Sequence, residues 1–592
     1  MCGIFGLVGD TKKAGQTVFT ALKELEYRGY DSWGVAGVPL HTNSTKLICS
    51  KKVGKILDSK IGRFAESQIA IGHTRWATHG GVTVQNAHPH LDSEQQVAIV
   101  HNGIIENFAQ LRDNLLAKGY VFRSETDSEV FAHLLTEELK TTTFPEAFRR
   151  SFMQLEGLNA VVAIKLGEPS ILAARNGSPL LLGFGKKSHF ISSDPAGLIP
   201  HTKQVYYLED GEYAEIQANS VIIKTVRTNK QQKIVTKMLD WNVDQVSKGS
   251  FEHFMLKEIY EQPKILSEIA SSGQANAERI ARCITKSYGS YLIGCGTGAY
   301  ACLAGTYIFS KIAKRHVNWA VGSEFGYQVD FLTQKSAVIA LSQSGETMDI
   351  LESVKQARKK EATILAIVNS IGSSLYRLAD EKLLLGAGPE KAVASTKAFL
   401  AKIAYLLLIA HTLAGKKDQG AACVKAAAAA TQEILTSTHI NNVKKISKRI
   451  AQSEHMFVIG RGVSYPAALE AALKIKEISY IHAEGLAAGE LKHGALALIE
   501  KGLPCMVFAP KDETYQATLS AAMEVKARGG YIIGCAEERH EVFDAFIPVT
   551  DIGIATLIPN VVIGQLFAYY LSVEKKLDPD KPRNLAKSVT VK

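Results

Sequence analysis

Met1-Cys2-Gly3-Ile4-Phe5-Gly6-Leu7-Val8-Gly9 opens the chain, and the rest of the first domain has to be read outward from it. The run after Cys2 is apolar, uncharged and punctuated by glycine, which predicts a short buried strand. Cys2 stands directly behind the initiator methionine. Removal of Met1 would leave one residue carrying both a thiol and a free α-amine. Their reference pKa values, about 8.5 and about 8, are close enough for the amine to serve the thiol as base near neutrality. A cysteine at this place is equally a small core hydrophobe, so the residues downstream must decide between the two.

The 592 residues predict several domains at about 150 residues each. Apolar residues make up 46% and charged residues 21%, enough to bury ordinary cores. The 68 basic and 58 acidic side chains leave +10, a mild excess without basic blocks, which argues against a nucleic-acid partner. The eight cysteines (2, 49, 283, 295, 302, 423, 505 and 535) are scattered, with no CxxC or metal-type spacing; this suits a reducing compartment and no structural zinc. Ile552 to Val573 lacks charge, but Pro559, Asn560, Gly564 and Gln565 interrupt it, so it reads as a buried helix rather than a membrane span. The opening residues do not read as a signal peptide. The expectation is a soluble, cytoplasmic protein without a membrane partner.

Through about residue 240 short β-rich runs dominate: Ala98 to His101, Ala160 to Ile164 and Ser170 to Ala173, with Asp210-Gly211 expected as a hairpin turn. Helical patterns intervene at Val18 to Glu26, Phe108 to Lys118 and Ser128 to Leu139, which together suggest an α+β sandwich. Three loops carry more polar chemistry than a scaffold needs. In Gly72-His73-Thr74-Arg75-Trp76-Ala77-Thr78-His79-Gly80-Gly81, Arg75 is suited to clamp a carboxylate bidentately. In His101-Asn102-Gly103, a side-chain amide beside a glycine N–H can converge on one developing oxyanion, though the same pair also makes an ordinary turn. In Ser124 to Ser128, Asp127 can bind an ammonium or cap a helix.

With Cys2, these segments resemble the N-terminal-nucleophile glutamine amidotransferases: CGIFG, YRGYDS (Tyr27 to Ser32), HTRWATHG, NAHPH (Asn86 to His90), HNGIIEN (His101 to Asn107) and TDSE (Thr126 to Glu129). The resemblance implies that Cys2 attacks the glutamine side-chain amide, with its own α-amine as general base. It implies that Asn102 and Gly103 hold the oxyanion, that Arg75 and Asp127 hold the α-carboxylate and α-amine, and that Trp76, Thr78 and His79 belong to a loop closing over the site. Trp33 departs from the small residue expected in that motif.

Arg227 to Lys237 and Trp241 to Ser250 are polar, placing a boundary near 240 to 250. Beyond it, the strand Tyr291 to Gly294 runs into Cys295-Gly296-Thr297-Gly298-Ala299, and Ala337 to Leu341 runs into Ser342-Gln343-Ser344-Gly345-Glu346-Thr347 and the helix Met348 to Lys359. A strand, a small-polar turn and a helix N-terminus make an anion site, because unpaired N–H groups and the helix dipole converge there. Phe457 to Tyr465 echoes the first turn 166 positions later, and Ala509 to Thr514 echoes the second with an aspartate where phosphate would sit. Two related subdomains follow, of which only the first is suited to phosphate. Gly294-x-Gly296-x-x-Ala299 also fits a loose dinucleotide fingerprint with Glu324 as ribose partner, a rival reading. Lys474 and Glu477 are three apart on one helix face, by spacing a surface ion pair.

GCGT, SQSGET, VASTK (Val393 to Lys397), LKIKEISYIHAE, GELKHG and PRNLAKSVTV make this half similar to the sugar-isomerase (SIS) double domain of the isomerizing glutamine–fructose-6-phosphate aminotransferase family, the glucosamine-6-phosphate synthases. The resemblance implies an α+β N-terminal-nucleophile sandwich (αββα) over residues 2–240 and a linker at 241–250. It implies two α/β doubly wound SIS subdomains with parallel sheets, at 251–445 and 446–592. It further implies conversion of fructose 6-phosphate and glutamine to glucosamine 6-phosphate and glutamate, the first step of amino-sugar (UDP-N-acetylglucosamine) synthesis. Thr297, Ser342, Gln343, Ser344 and Thr347 would bind the sugar phosphate, with Val393 and Ser395 near its hydroxyls. Glu477 would move the proton between C1 and C2 beside Lys474, His493 of the neighbouring subunit in a homodimer would open the ring, and Lys587 would form a Schiff base. Trp76 would gate an ammonia channel, and no metal or redox cofactor is implied. The motif often continues CGTS, whereas Gly298 stands here. A non-catalytic sugar-phosphate sensor is the remaining alternative, and it has no use for a processed Cys2 facing an oxyanion pair.

Overall fold

Gly3–Gly9 is a strand buried at all seven positions. It lies between Ser67–Arg75 and Ser188–Ser192, antiparallel to both, inside an eight-stranded sheet. Side chains alternate across a strand, and here both faces are covered. Phe5 and Leu7 pack with the helix Ala14–Glu24, while Ile4 and Val8 pack against a second, six-stranded sheet through Ala98, Val100, Ala160 and Val162. That is why the opening run is apolar throughout. The helices Phe108–Ala117, Glu129–Glu138 and Phe144–Met153 cover the far face of the second sheet through Ile99, Val161 and Ala163. The result is the four-layer αββα sandwich.

The structure is a computed structural model describing residues 2–40, 43–62, 64–239 and 247–589. Two units divide it, Met1–Ser247 with Ala586–Lys592, and Lys248–Leu585. Most of the expected linker, residues 241–246, lies outside the described residues, as do Met1, on whose removal the chemistry of Cys2 turns, and the last three residues of the tail.

Asp210-Gly211 is not a hairpin turn. Gln204–Tyr207 belongs to the eight-stranded sheet and Glu212–Ile216 to the six-stranded one, so the turn carries the chain across the sandwich. Gly211, third in the turn closed by the Glu212 N–H on the Glu209 carbonyl, supplies the positive φ, 79°, that this type of turn needs whichever strands it joins. Trp33 is buried in the helix-side layer, edge-on to Phe19, with its indole N–H donating to Ser59 Oγ. The departure from a small residue is therefore taken up on the face of the sheet opposite Ile4.

The second unit carries two five-stranded parallel sheets. Asn318–Val321, Gly289–Gly294, Ser336–Ser342, Thr363–Val368 and Glu381–Leu384 form one; His482–Ala487, His455–Gly460, Pro504–Phe508, Tyr531–Ala536 and Ala545–Pro548 form the other. In both, the second strand in chain order lies outside the first, an order of 2-1-3-4-5. The echo in the sequence is thus a structural repeat. The apolar helix spanning Gly553–Glu574 is long enough to cross a membrane, but 94% of its apolar window is buried. It is a core helix packed on Ser464–Ser479, and a Cβ added at Gly564 would sit 2.5 Å from that of Ala471. Each large apolar side chain buried in this way contributes about 1.5–3 kcal/mol.

Candidate active site

Extending the alternation of the first strand one step back puts Cys2 on the side of Ile4, facing the second sheet. Strand pairing sets Ile4 opposite His73, so His73 and, two residues on, Arg75 share that face. From the other sheet, Asn102 near the end of Val97–Gly103 comes to meet them, in parity with Ala98 and Val100. One pocket is lined by Cys2, Arg75, Trp76, Thr78, His79, Asn102, Gly103 and Asp127, among others. All the residues expected of a glutamine site are brought together.

The Trp76 N–H donates to Cys2 Sγ at 3.2 Å, and Asn102 Nδ2 donates to the Cys2 carbonyl at 3.0 Å. Arg28, of the YRGYDS segment, also reaches that carbonyl at 3.4 Å and is held by Asp194. Gly103 has φ 129°, and a Cβ there would lie 1.9 Å from the Leu158 carbonyl oxygen. Only glycine fits, which leaves its backbone beside Asn102 free of a side chain. Asp127 is not a helix cap: its Oδ2 accepts the Ile105 N–H at 2.8 Å, and Ser128 stands at the N-cap of Glu129–Glu138. Of the five guanidinium donors of Arg75, three hold the carbonyls of His79, Gly80 (3.3 Å) and Gly81 (3.1 Å). Burial lowers its pKa, with Cys2, Asp31 and Asp127 opposing. Thr78 is exposed, and Trp76 stands edge-on to Tyr30.

In the second unit, the turns after Gly289–Gly294 and Ser336–Ser342 sit at the carboxyl ends of adjacent strands, where the order reverses and ligands bind in such sheets. Thr297 opens the helix Thr297–Ile308 behind Gly296, whose φ is 51°. A Cβ on Gly298 would lie 3.0 Å from the Leu341 carbonyl oxygen, so glycine there keeps the two turns close. Ser342 Oγ accepts the Gly345 N–H at 3.0 Å and is 3.2 Å from the hydroxyl of Thr347, which precedes the helix Met348–Lys359. Ser344 Oγ accepts the Glu346 N–H, and the Gln343 carbonyl accepts that of Asn369. In the second copy Gly462 repeats the positive φ at 56°, but Asp512 fills the turn and accepts from Thr514 N–H and hydroxyl.

Lys474 and Glu477 are not a surface pair. Lys474 is 1% exposed, with Nζ 2.5 Å from Glu477 Oε2 and 3.6 Å from Glu470 Oε1. Glu470, fully buried and hydrogen-bonded by Thr297 at 3.2 Å, joins this helix face to the first turn. Spacing places side chains around a helix but says nothing of depth; Glu470, four residues before Lys474, shares the same face and extends the pair to three charges. Burial would depress the Lys474 ammonium, yet Glu470 and Glu477 hold its pKa above that of a free lysine. Burial pushes Glu470 up to about 7, against the opposing charge of Lys474. An unfolded glutamate titrates near 4.5, so between these values the folded chain keeps a proton that the unfolded chain has lost. Stability therefore falls as pH rises through that window, by about 3 kcal/mol from this group. Glu470→Gln should remove that decline in a pH series of thermal unfolding; an unchanged slope would mean that Glu470 is ionised throughout.

Val393 donates its N–H to the Asp580 carbonyl, and the Ser395 hydroxyl donates to Glu390 at 2.9 Å. His493 is exposed at the end of Ala488–His493, its side chain without a hydrogen bond among the described residues. The root of the tail is fixed by Arg583, which donates its N–H to Tyr480 Oη and lies 4.2 Å over that ring. Lys587 is half-buried and falls with the first unit.

The glutamine amidotransferase domain model matches residues 73–199, and the SIS domain model matches 284–412 and 449–542. A protein of Pyrococcus horikoshii named glutamine–fructose-6-phosphate aminotransferase (isomerizing) is 42% identical over 603 residues, covering all of both chains. One of the same name from Thermococcus kodakarensis is 41% identical, again over the full length of both. Among solved structures, the C-terminal domain of glucosamine-fructose-6-phosphate aminotransferase from Francisella tularensis matches with a TM-score of 0.52 and 34% identity, over 57% of this chain and all of that one.

Proposed function

The chain belongs to the isomerizing glutamine–fructose-6-phosphate aminotransferases, and from that membership we infer that it hydrolyses glutamine and passes the nitrogen to fructose 6-phosphate, giving glutamate and glucosamine 6-phosphate for amino-sugar synthesis. The observation that carries the reading is the convergence of Cys2, Asn102, Gly103, Arg75 and Asp127 on one pocket. In this reading the Cys2 thiolate attacks the amide carbon, its α-amine takes and returns the proton, ammonia leaves, and water hydrolyses the thioester. Asn102 and Gly103 stabilise the oxyanion of both steps. Arg75 and Asp127 hold the amino-acid end of glutamine.

Thr297, Ser342, Gln343, Ser344 and Thr347 take the phosphate, and Val393 and Ser395 the sugar hydroxyls. Lys587 condenses with the C2 ketone as a neutral amine, ammonia replaces it, and Glu477 carries the proton from C1 to C2 beside Lys474. One water enters at the thioester and one leaves at the imine. The partition into an amidotransferase domain at 2–240, a linker at 241–250 and sugar domains at 251–445 and 446–592 belongs to the same proposal. So do the dimer in which His493 serves the neighbouring subunit and the cytoplasmic location.

Incubation with glutamine and fructose 6-phosphate together, and with each alone, followed by product analysis, tests the reaction. Glutamate and glucosamine 6-phosphate should appear in equal amounts. Lys587→Arg should lose glucosamine 6-phosphate while still hydrolysing glutamine, and normal synthesis by it would remove Lys587 from the mechanism. Bound or turned-over nicotinamide absorbance in the purified protein would favour the dinucleotide reading of the GCGTGA turn instead.

A further inference from the structure

His73 is fully buried, and its Nε2 lies 3.0 Å from the His101 carbonyl oxygen and 3.0 Å from Asn102 Oδ1. A backbone carbonyl can only accept, so Nε2 carries the proton and the neutral ring donates to both oxygens. The Cys2 carbonyl, also acceptor-only, takes the other end of the Asn102 amide, Nδ2, at 3.0 Å. These two neighbours distinguish the nitrogen of Asn102 from its oxygen. Nothing in the shape of a carboxamide does so, since its two ends are nearly isosteric. Burial pushes His73 down to about 3, with hydrogen bonds to Asn102 and His101 opposing, so the ring keeps its neutral, donating form at neutral pH. Its plane is fixed by stacking on His88, ring centroids 4.1 Å apart, and His88 in turn stands edge-on to His90.

We propose that His73 is a positioning residue for the nitrogen-releasing half reaction: its Nε2–H holds the Asn102 carboxamide with nitrogen, rather than oxygen, turned toward the reacting carbon of glutamine. The inference rests on the reading of Asn102 as an oxyanion donor and deepens it. A flipped amide would present a lone pair to the developing negative charge, so turnover is lost although glutamine still binds.

The test uses the full-length protein and measures glutamine hydrolysis; the proposed C1-to-C2 proton transfer run without nitrogen, which would turn fructose 6-phosphate into glucose 6-phosphate, is the check on the rest of the chain. His73→Phe keeps a stacking ring but removes the donor. Its kcat is expected to fall about 10- to 100-fold with KM within about threefold, since removal of a whole oxyanion donor costs about 10²–10³. His73→Gln returns an N–H donor and should recover part of the loss. In an Asn102→Ala background His73→Phe should cost less than about threefold more, because the amide it orients is gone. Multiplicative losses in the double variant, a rise in KM at unchanged kcat, or no recovery with glutamine would overturn the positioning role. If Asn102→Ala is impaired and His73→Phe is not, only the positioning role falls. If Asn102→Ala turns over normally, the oxyanion reading falls and this proposal with it.

Discussion

Cys2→Ala is expected to abolish glutamine-dependent formation of glucosamine 6-phosphate, with a loss of at least about 10⁴-fold, because the covalent route through a thioester disappears with its sulfur. The hydroxyls that line the same pocket, those of Thr78, Thr126, Ser128 and Ser178, do not stand on a residue whose own α-amine can take their proton. The Trp76 N–H now directed at Sγ loses its acceptor. Cys2 is only half-buried, so losing the contacts of its sulfur costs stability of order 1 kcal/mol or less. Melting temperature and interconversion of fructose 6-phosphate with glucose 6-phosphate should stay close to those of the parent. The measurement is glutamate release and amino-sugar formation on one preparation, with isomerisation as the internal control. Retention of more than about 1% of glutamine-dependent synthesis would show that another group is the nucleophile. A parallel fall in isomerisation would mean that the substitution disturbs more than the glutamine pocket.

The parts of this molecule that could be read from the sequence are those in which local pattern and depth of burial coincide. Gly3–Gly9 is apolar on both faces because sheet and helix cover it from opposite sides, and the small-polar turns after Gly294 and Ser342 are where a parallel sheet must hold its ligand. What escaped is information carried by the third dimension alone. Asp210-Gly211 has turn chemistry, but which sheets its strands join depends on partners far away in the chain. His73 and Asn102 are 29 residues apart and meet only because two sheets pack face to face. By spacing alone Lys474 reads as exposed, because Glu477 pairs with it three residues on. The apolar run around it, Ala467, Ala468, Ala471, Ala472 and Ile475, all buried, is the indication that this helix face lies inside.

That burial makes Lys474→Met the most damaging change expected in the sugar half. In the parent, one ammonium serves two carboxylates, Glu477 at 2.5 Å and Glu470 at 3.6 Å, with Lys474 and Glu470 essentially without solvent. Replacing a buried ion pair by apolar groups can be neutral, but removing one partner leaves uncompensated charge and costs about 3–5 kcal/mol. The penalty should depend on pH in a definite direction. Lys474 is what draws Glu470 down toward about 7, so without it the folded-state pKa rises further. At pH 6 the Glu470 carboxyl already holds its proton in parent and variant alike; at pH 8 the parent has largely released it beside the ammonium and the variant cannot, so the destabilisation is larger. Glu470→Gln placed on Lys474→Met should then restore more than half of the lost stability at pH 8, leaving only Glu477, whose side chain is 21% exposed and can hydrate. Activity should not follow, because the double variant still lacks the ammonium beside the proposed proton carrier, and glucosamine 6-phosphate formation stays at least about 10²-fold down. Denaturant unfolding of the four proteins at pH 6 and pH 8, with product assays on each, separates the two effects. Equal stability of Lys474→Met and parent at pH 8 would show that the ammonium is dispensable to the folded state. Recovery of synthesis in the double variant would show that Lys474 serves the fold and not the isomerisation.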